Sequence, residues 1–418
     1  MIVKEVLPNG LTLITESIPH VRSVAVGVWL KQGSRHETPQ ETGISHFIEH
    51  MVFKGTRTRP VEVIAAQVDS IGGHMDAFTT KEYAAFHLKV LDEHLALAVD
   101  ILGDIVTNPL FDKTELEKEK KVIFEEMGMV EDTPDDLVSE MFTQSFWPSH
   151  PLGRPILGTR KSVGGFTRRE LLAFFKSVYR PANIVVAAAG HLEHQKASAL
   201  IHHHLGELEA GGRKKTATAP AAAARIVTRS KKELEQIHLC LGVPAFEQGH
   251  DDRFAALILN TVLGGSMSSR LFQHVREKRG LVYSISSGLT AYSDAGMLSV
   301  YAGTSLDEVD EVIDLVLLEF RILRDQALPD DELRRAKDHL KGSLMLSLEN
   351  TGSRMSHLAR QEIYFERRFS LDETIASIEA VTAQDVQRVA GVLFRDRVAA
   401  SVLGNLGRYR PKAAQLRI

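Results

Sequence analysis

At 418 residues the chain is too long for one ordinary core, since domains run roughly 100–200 residues, so two domains are expected. Hydrophobic residues make up 44% and charged residues 25%, the balance of a globular protein and not of a disordered one. The 50 basic and 54 acidic residues leave a formal net charge of −4, which excludes a global field drawing the chain to nucleic acid or to an anionic membrane.

The N-terminal MIVKEVLPNGLTLITE has no basic segment followed by an apolar signal core, and no run of about 18 apolar residues occurs. A cytoplasmic location without a membrane partner is the expectation. The triplet Pro8 to Gly10 reads as a turn between strand-like runs, and in SVAVGVWL the residues Val24, Val26, Val28 and Leu30 alternate as in a strand. The segment TGISHFIEHMVFKGT reads as a helix. At about 100° per residue, His46, Glu49 and His50 fall in one narrow arc, while Ile44, Phe47, Ile48 and Met51 face the other way. Two imidazoles at i and i+4 can reach one metal, and a glutamate on the same face can reach a water there. The order H-x-x-E-H reverses H-E-x-x-H and is a zinc-peptidase signature; a solvated helix face is the alternative for these five residues alone.

Further along, KTELEKEKKVIFEEMGMV places Leu116, Glu119, Ile123, Glu126, Met127 and Val130 on one apolar stripe, with Glu117, Lys118, Lys121 and Glu125 outside it. Two carboxylates on a core-facing stripe need partners. A metal for Glu126 and an orienting hydrogen bond for Glu119 would supply them; salt bridges to Lys or Arg are the alternative. The triplet His202 to His204 reads as a solvated helix end. Residues 210–225, AGGRKKTATAPAAAAR, read as a linker between a domain at 1–209 and another at 226–418. The single cysteine, Cys240, falls in the apolar run Ile237 to Val243 and reads as a buried strand residue. With one cysteine neither an intrachain disulfide nor a Cys-rich zinc cluster is available, so a metal must use His and carboxylate. LGGSMSSRL, starting at Leu263, reads as a tight turn at a helix end.

The two halves repeat each other at a nearly constant offset of about 210 to 217 residues, with SVAVGVWL falling on QIHLCLGV and Thr167 on Thr382. The fold class is therefore α+β, two homologous domains, each a mainly antiparallel sheet covered by helices. In the second copy His46, Glu49 and His50 fall on Ala256, Leu259 and Asn260, and Glu119 and Glu126 on Ala336 and Ser343, so it lacks the chemistry.

These features resemble the pitrilysin and insulinase family of zinc peptidases, and within it the catalytic (beta) subunit of mitochondrial processing peptidase and its bacterial relatives. The family pattern is H-x-x-E-H with a glutamate 76 residues after the second histidine and another seven before that one; here these are Glu126 and Glu119. The resemblance spans essentially the whole chain. It implies Zn2+ held by His46, His50 and Glu126, with Glu119 behind them and Glu49 as the base activating a water for hydrolysis of extended peptides or unfolded segments. It implies a substrate-binding edge strand around Asp76, Ala77 and Phe78, although many relatives have Asn where this chain has Asp76. It also implies that Arg276 and Tyr283, in REKRGLVYS, contact substrate and oxyanion; from spacing alone they read as a surface Arg and a half-buried Tyr. Two such chains, a homodimer or a heterodimer, would close around the peptide. A noncatalytic scaffold of the same family and a His₂-carboxylate iron oxygenase are the rivals, and the complete ligand set with its base disfavours both.

Overall fold

The computed structural model describes residues 1–212 and 218–418 and divides into two compact units. The first comprises Met1–Gly128, Arg154–Ala217 and Ser347–Arg368; the second comprises Met129–Gly153, Thr218–Leu346 and Phe369–Ile418.

The first unit is built on β1 (Ile2–Val6), β2 (Thr12–Ser17), β3 (Ser23–Leu30), β4 (His74–Thr79), β5 (Ala84–Leu91) and β6 (Ile184–Gly190), in the order β1-β2-β6-β3-β5-β4. The second holds β7 (Ile226–Ser230), β8 (Ile237–Ala245), β9 (Val282–Ala291), β10 (Gly296–Thr304) and β11 (Ala399–Gly404), in the order β7-β11-β8-β10-β9. Leaving β1 aside, the two orders are the same. Each sheet has one parallel pair, β2 with β6 and β7 with β11, and its other pairs are antiparallel. The repeat seen in the sequence is thus a repeat of topology, in two mainly antiparallel sheets covered by helices.

The alternation read in β3 is the alternation of a strand buried on both faces. Val24, Val26, Val28 and Leu30 enter the main core with Ile44, Phe47, Ile48 and Met51 of the helix Ile44–Val52 and with Leu116 and Ile123 of the helix Lys113–Asp132. On its other face Ala25 and Trp29 meet Met355, Leu358 and Ala359 of the helix Thr351–Phe365. Gly27 belongs to that face because a Cβ there would stand 3.0 Å from Met355 Sδ, closer than packed atoms normally sit. In the second unit Ile237, Leu239, Leu241 and Val243 face the main core. Cys240, buried as expected, faces Leu137, Val138 and Phe142 of the helix Pro134–Phe146.

Each half of the sequence therefore supplies one helix to the other half's unit, so the packed units do not follow the cut at residues 209 and 226. An amphipathic pattern shows that a helix has an apolar face, not which sheet that face covers. Of the 210–225 segment, residues 213–217 lie outside the described residues. Its end belongs to the second unit, where Ala223 N–H donates to Phe146 O and Ala400 N–H to Arg225 O, both at 2.8 Å. Among the described residues no helix is long and apolar enough to cross a membrane. Gly264 and Gly265 both donate to Asn260 O, closing the helix-end turn expected there. His202 and His203 are exposed in the last turn of the helix His194–Leu205, while His204 is half-buried.

After β3 the chain turns back so that Ser34 and Arg35 donate their N–H groups to Thr80 O and Lys81 O, at 3.0 and 2.8 Å, in the β4–β5 turn. The Arg35 guanidinium pairs there with Glu82, the two side chains being 1% and 6% exposed. Removing one member of a buried pair leaves the other's charge without compensation. Arg35→Met should therefore cost about 3–5 kcal/mol in urea unfolding, and Arg35→Met with Glu82→Gln should recover part of it. A single-variant loss under about 1 kcal/mol would show that the pair does not brace this turn.

Candidate metal centre

The helix Ile44–Val52 begins at Gly43, whose φ of +94° lies in the left-handed region and whose Cα faces Gly158. Gly43 has no side chain to cap the first turn. Glu37 does so from six residues upstream: its carboxylate accepts from Gly43 N at 2.8 Å and from Ser45 N at 2.9 Å. The helix then buries Ile44, Phe47, Ile48, Met51 and Val52 and leaves His46, Glu49 and His50 half-buried on the other face. The helix Lys113–Asp132 starts under an Asp112 cap, with Oδ1 accepting from Thr114 N and Glu115 N. It buries Leu116, Glu119 and Ile123 and exposes Glu117, Lys118, Lys121 and Glu125, as its stripe predicts.

These two helices bring the acidic stripe onto the histidine face. His46 Nε2 lies 3.7 Å from Glu126 Oε2, and His50 Nε2 lies 3.4 Å from Glu126 Oε1. One ligand atom from each of the three residues falls within 4.8 Å of the others. Both separations exceed a hydrogen bond, which ends near 3.2 Å for N–H···O. They match donors around a shared ion, because two ligands about 2.1 Å from one tetrahedral centre stand about 3.4 Å apart. Among the described residues, buried Glu126 Oε2 has no hydrogen-bond partner, so the donor set fits a His₂-carboxylate cation site. His46 Nδ1 is likewise unpartnered.

His50 is held differently. Its Nδ1 is 3.0 Å from Glu119 Oε2, and because an ionised carboxylate only accepts, Nδ1 carries the hydrogen and Nε2 turns toward Glu126. Lys54 Nζ is 2.8 Å from Glu119 Oε1. The hydrogen bond and the salt bridge, alternatives in sequence, are thus both made by this one carboxylate. Burial raises the Glu119 pKa, but the bonds from His50 and Lys54 outweigh it and the net shift is downward. Burial, then repulsion from His50, lowers the His46 pKa to about 4, leaving a neutral imidazole. Burial opposes charge on His50 too, yet the Glu119 bond and the carboxylates of Glu126, Glu119 and Glu49 raise its pKa. The cluster attracts positive charge.

Glu49 shares the helix face but not the donor triplet. Its Oε2 accepts the Thr79 hydroxyl, and its pKa is raised by burial, against the Thr79 bond and His50. Thr79 ends β4, the edge strand that carries Asp76, Ala77 and Phe78. Ala77 faces the main core, whereas Phe78 packs on Trp29 and Tyr83 on the far side of the sheet. Asp76 is 58% exposed, with Oδ1 accepting from Ala77 N. Arg276 and Tyr283 lie in the second unit. The Arg276 guanidinium sits over the Phe272 ring at 4.7 Å, and Tyr283 is 77% exposed on edge strand β9 rather than half-buried, because an edge strand has a neighbour on one side only. Sequence reasoning missed Glu37, Lys54 and Thr79. Lys54 stands four residues after His50, and Thr79 two after Ala77, so helical and strand periods respectively could have marked them.

Residues 12–160 match the family model described as Insulinase (Peptidase family M16), and residues 165–340 match the one described as Peptidase M16 inactive domain. A Bacillus subtilis protein named uncharacterized zinc protease YmxG is 41% identical over 407 residues, covering 97% of this chain and 99% of its own. The chain belongs to the insulinase family, peptidase family M16. An uncharacterized zinc protease of Streptomyces coelicolor is 38% identical over 96% of this chain and 89% of its own. Among solved structures, a protease from Helicobacter pylori superposes with a TM-score of 0.89 at 20% identity, over 96% of this chain and 99% of that one. A Pseudomonas fluorescens structure described as a peptidase M16 inactive domain gives 0.90 at 22%, over 98% and 100%. At these identities the structures establish the M16 fold alone. In this M16 chain, Ala256, Leu259 and Ala336 fill with buried apolar side chains the second-copy positions of His46, Glu49 and Glu119.

Burial raises the carboxyl pKa of Glu37, the cap of the histidine helix, from 4.5 to about 7 despite its two N–H donors. A carboxyl raised by folding contributes stability that is complete below the unfolded value and is lost as pH rises through the folded one. Wild-type metal-free protein should therefore lose stability relative to Glu37→Gln between about pH 4.5 and 7, followed by urea unfolding at fixed ionic strength. A difference that stays flat across this window would remove Glu37 as its source.

Proposed function

We propose that the chain is a zinc-dependent endopeptidase acting on extended peptides or unfolded segments. The observation that carries this reading is the donor spacing of His46, His50 and Glu126, too long for hydrogen bonds and suited to a shared cation, with Glu49 beside it on the same helix face. The relatives' printed names, zinc protease, favour zinc for that cation and peptide hydrolysis for the chemistry.

His46, His50 and Glu126 would hold the ion. Zinc bound there supplies Lewis acidity, polarising the scissile carbonyl and making water a nucleophile near neutral pH. Glu49 takes a proton from the attacking water as its oxygen bonds to the carbonyl carbon, then delivers it to the amide nitrogen as the C–N bond breaks. Glu119, charged and anchored by Lys54, keeps the hydrogen on His50 Nδ1 and so keeps the Nε2 lone pair available. β4 is an edge strand, so its open side along Asp76, Ala77 and Phe78 suits a peptide lying as an added strand. Arg276 and Tyr283 are assigned to substrate and oxyanion contacts in a dimer of like or related chains; the exposed Tyr283 hydroxyl suits such a donor.

Purified protein should carry about one zinc per chain, and Glu126→Gln should bind it more weakly because an amide is a poorer ligand than a carboxylate. Glu49→Gln should keep the zinc and lose about 10²–10⁴-fold in turnover of a fluorogenic peptide. Arg276→Ala and Tyr283→Phe should also lower turnover with zinc intact. Metal analysis beside the same peptide assay checks all four, and full activity in Glu49→Gln would exclude Glu49 as the base.

A further inference from the structure

We infer that Thr79 is a positioning residue for the base, its hydroxyl fixing Oε2 of Glu49 so that Oε1 is left to take the proton. The inference rests on the peptidase reading, because it gives Glu49 its role. Thr79 Oγ1 donates to Glu49 Oε2, and among the described residues Oε1 receives no protein hydrogen bond. The contact joins the last residue of the edge strand to the middle of the histidine helix. Side chains two apart on a strand share a face, and Met75 and Ala77 pack into the main core, so Thr79 continues their row toward the helix layer.

This contact is not left to the two side chains. Immediately after Thr79, Thr80 O and Lys81 O accept from Ser34 N and Arg35 N. The same segment continues to Glu37, whose carboxylate holds the N–H groups of Gly43 and Ser45 at the start of the helix. Short hydrogen-bonded steps thus tie the end of β4 to the first turn of the helix. The β-branched Thr79 side chain has few χ1 choices, which limits how far its hydroxyl can stray. A free glutamate in a half-buried site has several rotamers, and a donor on one oxygen selects among them without consuming the other. The strand proposed to receive the peptide therefore also orients the carboxylate that moves the proton.

Thr79→Val keeps the shape and removes the donor; Thr79→Ser keeps the donor and removes the methyl. In turnover of a fluorogenic peptide, Thr79→Val should lower kcat about 10–100-fold with KM and zinc content unchanged, as expected for losing a hydrogen bond to a charged group. Thr79→Ser should return kcat to within a few-fold of wild type. Crystals of the metal-free variants supply a second readout: Glu49 should leave its position in Thr79→Val and keep it in Thr79→Ser. Wild-type kcat in Thr79→Val, or a serine variant no better than the valine one, overturns the assignment. If wild-type protein turns over no peptide, the peptidase reading fails, and an unmoved Glu49 in the metal-free valine variant would independently show that Thr79 does not hold it.

Discussion

Glu126 approaches His46 and His50 at 3.7 and 3.4 Å on helices whose other faces are built into one apolar core, so the three side chains cannot drift apart without unpacking that core. A carboxylate oxygen that is buried and, among the described residues, receives no hydrogen bond is costly. A cation relieves it. The neighbouring groups are arranged to the same end: burial keeps His46 neutral, and Glu119 holds the hydrogen of His50 on the nitrogen turned away from Glu126. Lys54 offsets part of the negative charge from behind, at Glu119, without occupying the space between the donors.

The sheet supplies the second half of the arrangement. Because β4 lies at the edge and its terminal Thr79 reaches Glu49, the surface suited to an added strand is joined by a hydrogen bond to the candidate base on the histidine helix. Burying the sheet on both faces, with Val24 to Leu30 on one side and Trp29 against the helix Thr351–Phe365 on the other, makes that edge a stiff reference for the helices. The second unit repeats the topology without the donor set; buried apolar residues occupy the positions of His46, Glu49 and Glu119 there.

Much of this was legible in the sequence, for a physical reason. Regular elements impose periods, and the periods place His46, Glu49 and His50 on one helix face and Glu119 and Glu126 on one stripe. The duplication was legible because each copy had to preserve the same strand alternation to bury its sheet. The exchange of the helices Pro134–Phe146 and Thr351–Phe365 was not, since an apolar face does not name its partner. The same limit hid Glu37; the periods reach Lys54 and Thr79 but do not name their partners, Glu119 and Glu49. Tyr283 was misjudged in exposure because pattern alone does not show which strand ends a sheet.

X-ray absorption at the zinc edge tests the central claim most directly, because it sees the atoms around the ion whether or not a substrate is known. For the purified protein the account predicts a shell of nitrogen and oxygen at about 2.0–2.2 Å with the outer-shell scattering of two imidazoles, reduced to one in His46→Ala. Absence of zinc after zinc-replete purification, or a shell whose imidazole scattering is unchanged by His46→Ala, would contradict it.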